Sequence, residues 1–133
     1  MSSIEKESFE KLMEDSERSI RKVEFKKFKK ELKDIKKLLI QDVKDFQAWD
    51  YDYLLRFVEH SLQAMNLFLG NKYLVTQNTE SEFNNWRENT NKLKECYTLI
   101  KERNNDNYNS EQQRATISKA FRIMIKYMFD WWD

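Results

Sequence analysis

The chain has no proline, one glycine, one cysteine and one histidine in 133 residues. A β-rich chain needs many tight turns, and tight turns draw on glycine and proline. So little of either predicts a few long helices. A single cysteine excludes an internal disulfide and any cysteine-rich zinc site, and it suits a reducing compartment. One histidine leaves too few ligands for an ordinary zinc enzyme, so no metal and no cofactor is expected. Gly-rich phosphate loops need several glycines, which excludes the common nucleotide-hydrolysing motifs. No apolar run approaches the about 20 residues that cross a bilayer. The first residues are charged from Glu5 onward, unlike a secretory leader. The expectation is a soluble protein of the cytoplasm with no membrane partner. With 24 basic and 23 acidic side chains the formal charge is +1, which gives no global attraction to nucleic acid.

What the chain does have is charge and aromatics: 35% charged residues, nine Phe, six Tyr and four Trp. The length fits one domain, 1–133, large enough to bury a core. The predicted fold is all-α, an antiparallel bundle of about four helices with a long charged first helix. That first helix occupies residues 1–45, periodic to about Leu39, and a helical core follows over 49–133. Ser2 and Glu5 have capping-box spacing. Ile20, Val23, Phe28, Leu32, Ile35 and Leu39 recur near helical period. The front of the helix is acidic (Glu5, Glu7, Glu10, Glu14, Asp15, Glu17), the back lysine-rich. Ile4, Phe9, Leu12 and Met13 make a thinner apolar set at the front, suited to fraying or to packing on a partner.

The second helix starts near Trp49 or Asp50, the latter a good N-cap, and stops at Gly70. Its predicted buried stripe is Leu54, Phe57, Val58, Ser61, Leu62, Met65, Phe68 and Leu69. Thr79 and Glu82 cap the third helix, with a seam of Phe83, Trp86, Thr90, Leu93, Tyr97 and Ile100. Ser110 with Gln113 opens the fourth, whose face is Ile117, Ala120, Phe121, Met124, Ile125, Met128 and Trp132. Apolar residues crowd after Ala120, so that end is expected to be buried in the fold or in an oligomer interface. Trp131, Trp132 and Asp133 are the interface residues.

The polar–aromatic mix at one end of such a bundle carries the site prediction. An up-down topology brings Trp49, Asp50 and Tyr53 at the start of helix two near Arg103 and Tyr108. Aromatic end-plugs would explain the rings alone. Their mixture with acids and an arginine suits a pocket that stacks a planar ligand and fixes its polar groups. Arg56 and His60, four residues apart on one face, join this ligand-binding set. Cys96 reads more simply as a small buried residue than as a nucleophile served by His60.

The words "WDYDYLL" (residues 49–55), Met65, Cys-x-x-Leu-Ile-x-x-Arg (residues 96–103), Tyr108 and the terminal "WWD" resemble a widespread group of small phage-encoded helical proteins, mostly without an assigned function. The resemblance spans residues 49–133 and leaves the first 48 outside. It implies a setting, the cytoplasm of a bacterial host, in which small phage proteins act by binding. The leading expectation is a non-enzymatic protein that sequesters a small nucleotide-like ligand and so counters a host defence system. Trp49 or Tyr53 would stack the base, Arg103 meet a phosphate, and Asp50 accept from an amine or hydroxyl. The alternatives are a protein-binding inhibitor of a host defence or transcription protein that uses the first helix, and a minor enzyme or structural phage protein.

Overall fold

Local capping chemistry sets where three of the four helices begin. The computed structural model describes residues 3–71 and 77–132, with no side-chain placement for Ser3, Ile4 and Trp132. Four helices follow in order: α1 Ser3–Asp45, α2 Tyr51–Leu69, α3 Glu80–Glu102 and α4 Ser110–Tyr127, then a 3₁₀ turn, Asp130–Trp132. The expected all-α bundle with a long first helix is what forms. Ser2 and Asp133 lie outside the described residues. The Asp50 carboxylate accepts from the Asp52 N–H and the Thr79 hydroxyl from the Glu82 N–H, as the capping signals predict. At α4 the cap is one residue earlier than expected. Asn109 and Gln112 form the reciprocal capping box, and Gln113 instead donates from Nε2 to the Arg103 carbonyl at 3.0 Å.

α1 runs past Leu39 to Asp45, because Asp42 is drawn inward to His60 and holds the last turns on α2. Gly70 closes α2 in an ordinary right-handed conformation, so no unusual φ demands it. It is needed for room: a Cβ there would stand 2.7 Å from the Asn66 carbonyl oxygen.

Consecutive helices pack side by side and run antiparallel. Arg103 at the end of α3 reaches Asp52 at the start of α2, while Trp86 near the start of α3 donates to the Leu69 carbonyl at 2.7 Å. Cys96 donates to the Ala120 carbonyl, which fixes α3 against α4. Phe28 meets the Phe68 ring at 5.6 Å near one end of the α1–α2 contact, and Asp42 meets His60 at the other.

The core is built by α2, α3, α4 and the 3₁₀ turn: Leu62, Leu93, Cys96, Ile100, Ala120, Ile123 and Trp131. α1 contributes Ile35 and Asp42 to the buried set. The predicted stripes are shifted by one position in α2 and by two in α4. Leu55 is buried where Leu54 was expected, and Ile123 where Ile125 was expected. In α2 the inner face also carries Asp52 and Glu59, which Arg103 neutralises, so hydrophobicity alone misplaces the stripe. In α4, Ile125, Met128 and Phe129 stay exposed in the single chain, and the buried aromatic of the terminal cluster is Trp131. No helix among the described residues is long and apolar enough to cross a membrane.

Candidate functional site

Arg103 is the last residue of the α3 seam, three positions after Ile100, and that spacing turns it into the core. It is 2% exposed. A buried guanidinium must be paired. Its Nε donates to Asp52 Oδ1 at 3.1 Å, and Nη1 donates to Glu59 Oε1 at 2.6 Å and to the Ile100 carbonyl at 2.8 Å. The second Asp52 oxygen accepts from Arg56 Nε at 3.1 Å. On the other side of Glu59, His60 Nε2 stands 3.8 Å from Oε2, and His60 Nδ1 bonds Asp42 Oδ2 at 2.5 Å. A continuous polar chain thus runs Asp42–His60–Glu59–Arg103–Asp52–Arg56, linking α1, α2 and α3.

This chain absorbs three of the predicted ligand residues. Arg103 comes to the start of α2, as the antiparallel topology predicts, but onto Asp52 and Glu59. A phosphate at this guanidinium would have to displace two carboxylates from a buried position. Arg56 also lies over the Tyr53 ring, 4.7 Å from its centroid. Asp50 is occupied as the α2 cap. Trp49 is 83% exposed. Among the described residues, no ring contact or side-chain hydrogen bond ties Trp49 or Tyr108 to Arg103. Trp131 is buried at the opposite end, against α2 and α3. Asp42 and Glu59 were missed from the sequence. The available signal was Asp42 at the next step of the α1 seam after Leu39, and Glu59 three residues before Leu62 and four after Leu55.

Cys96 is fully buried in the core. Burial, and then the nearby Glu95 charge, push its thiol up from 9.0 to about 11. It is a packed thiol with almost no thiolate at neutral pH. Among the described residues, no three His, Cys, Asp or Glu side chains converge to hold a metal ion.

Two cavities flank α2 at its C-terminal end. The smaller, about 230 Å³, is apolar and lies between Phe28 and Leu32 of α1, Met65 and Phe68 of α2, and Leu93 and Trp131. The larger, about 590 Å³, opens on the other side of α2, with α1 and α3 as its walls. Glu24, Lys27, Phe28 and Glu31 line the α1 wall, Thr90, Asn91 and Lys94 the α3 wall, with Asn66, Gly70 and Asn71 on α2 between them. Its volume falls in the range of small-molecule sites. Lys27 and Lys94 make no ion pair among the described residues, and the Asn66 and Asn91 amides make no hydrogen bond there. Glu24 faces Asn71 Nδ2 at 3.4 Å.

Comparison with protein families, curated proteins and solved structures finds no match.

Proposed function

We propose that this protein captures a small nucleotide-like ligand in the cleft between α1, α2 and α3, without turning it over. The observation that carries this reading is the pair Lys27 and Lys94, two cations on facing walls of one cleft with no ion pair among the described residues. They suit a phosphate. The Asn66 and Asn91 amides and the Glu31 carboxylate suit the donors and acceptors of a base or ribose. The paired Arg103 end does not serve as the anion site. Capture rather than catalysis agrees with a thiol held in its unreactive form. In the phage setting that residues 49–133 resemble, such capture would withdraw a signalling nucleotide from a host defence system in the bacterial cytoplasm.

The test is a thermal-shift and calorimetry scan with linear and cyclic mono- and dinucleotides. A nucleotide that raises Tm in the wild type and leaves the Lys27→Glu/Lys94→Glu protein unmoved supports the reading. No stabilisation by any of them, or stabilisation that survives the double substitution, overturns it.

A further inference from the structure

α1 carries two apolar seams, and they do not face the same way. Phe28, Leu32, Ile35, Leu39 and Asp42 follow 4-3-4-3 spacing and lie against α2. Phe9, Met13, Ser16, Ile20 and Val23 follow the same spacing, but the step from Val23 to Phe28 is five residues. At about 100° per residue, the front seam is turned by about 100° from the one that packs on the bundle. Every residue from Glu5 to Val23 is exposed. Phe9, Leu12, Met13, Ile20 and Val23 are each at least 43% open to solvent. The front 21 residues, 3–23, project about 31 Å as a lone helix. Glu7–Lys11, Glu14–Arg18 and Glu17–Arg21, each acid four residues before a base, favour the helix without covering its apolar stripe.

The flanks of that stripe say what fits it. With Phe9, Ser16 and Val23 as d positions and Met13 and Ile20 as a positions, one flank is Glu10, Glu17 and Glu24. The other is Leu12, Ser19 and Lys26. Lys6 and Lys27 occupy the a positions at either end and limit the stripe to about two heptads. A second copy fits badly in either direction. Antiparallel pairing would set the Glu10–Glu17–Glu24 edge against itself, and parallel pairing would stack Lys6 on Lys6 and Lys27 on Lys27. A helix whose apolar stripe is flanked by Lys or Arg meets the same edge with opposite charge.

We propose that residues 9–23 of α1 are a docking arm for an amphipathic helix of a different protein, one with basic residues along its apolar stripe. Apolar anchors at i, i+4 and i+11 provide adhesion, and the acidic edge chooses the partner. This surface is separate from the α1–α2–α3 cleft, apart from Glu24 and Lys27 at their junction.

The full-length protein can be titrated with two synthetic helical peptides of equal length, both with Leu at a and d, one with Lys and one with Glu at e and g. The expected result, by fluorescence anisotropy, is binding of the Lys peptide with the Glu peptide about tenfold weaker or worse. Ile20→Glu should abolish it, while Glu10→Lys/Glu17→Lys should reverse the preference. Both changes lie on exposed helix and should leave Tm within a few degrees of wild type. Equal binding of both peptides, binding of neither, or binding that survives Ile20→Glu overturns the proposal. So does light scattering that shows a dimer dissociated by Ile20→Glu, because the second copy would then be the occupant.

Discussion

Arg103 at the end of α3 donates to Glu59 in the middle of α2, Nη1 to Oε1 at 2.6 Å, across 44 residues of sequence. The arginine is buried and the glutamate is partly open, with 20% of its side chain exposed. The cost of breaking this contact therefore depends on which partner is removed.

Arg103→Leu should destabilise the fold by about 3–5 kcal/mol, since it takes the buried partner from two inward-facing carboxylates and leaves Asp52 with Arg56 alone. Glu59→Gln should cost less, about 1.5–3 kcal/mol, because a neutral acceptor remains beside the guanidinium. Arg56→Ala, which removes a half-exposed partner, should stay within about 1 kcal/mol. Urea denaturation of the three variants measures the order.

Asp42 and His60 form a polar link between α1 and α2. Asp42 is 6% exposed, and its contact closes the end of α1 remote from the cleft. Asp42→Ala should lower stability by about 1.5–3 kcal/mol. Amide exchange should rise first near residues 39–45, while protection of Leu93, Cys96 and Ile100 holds.

The raised Cys96 thiol makes a pH prediction. Between its ordinary value of 9.0 and the folded value of about 11, the native state keeps a proton that the unfolded chain gives up. Its contribution is complete below about pH 9 and falls as pH rises towards 11. The loss should reach about 2–3 kcal/mol. Chemical denaturation between pH 8 and 11 should show a shallower decline for Cys96→Ala than for the wild type.

Trp131 packs against Leu93 and Met65, and its buried Nε1 has no hydrogen-bond partner among the described residues. Trp131→Phe should therefore cost under about 1.5 kcal/mol, and Trp131→Ala about 3–5 kcal/mol. Thermal or urea melts separate a residue held by packing from one held by its N–H.

These contacts also explain what could be read in advance. Asp50 and Thr79 are legible as caps because a cap is settled within three residues of chain. The number and direction of the helices follow from the absence of proline and the short connections. The inner face of α2 is not legible in the same way. Leu54 and Leu55 are equally apolar, and the choice between them is made by Arg103, which arrives from 51 residues away to pair with Asp52. The same distance hid the fate of the predicted ligand set. Arg103, Tyr53 and Asp50 have the right chemistry for a nucleotide, but a guanidinium needed inside to neutralise two acids is not free to meet a third. The cleft at Lys27 and Lys94 joins residues of α1 and α3, and no local pattern in the chain marks that meeting.

The single uninterrupted α1 also governs how the molecule moves through solution. A compact chain of 133 residues has a radius of gyration of about 14 Å, whereas a 43-residue helix is about 65 Å long. Drag along such a rod slows translation and, still more, end-over-end tumbling. A monomer should elute from a sizing column ahead of globular standards of 16.4 kDa. Its elution volume reports the arm, and its stoichiometry has to be read from mass.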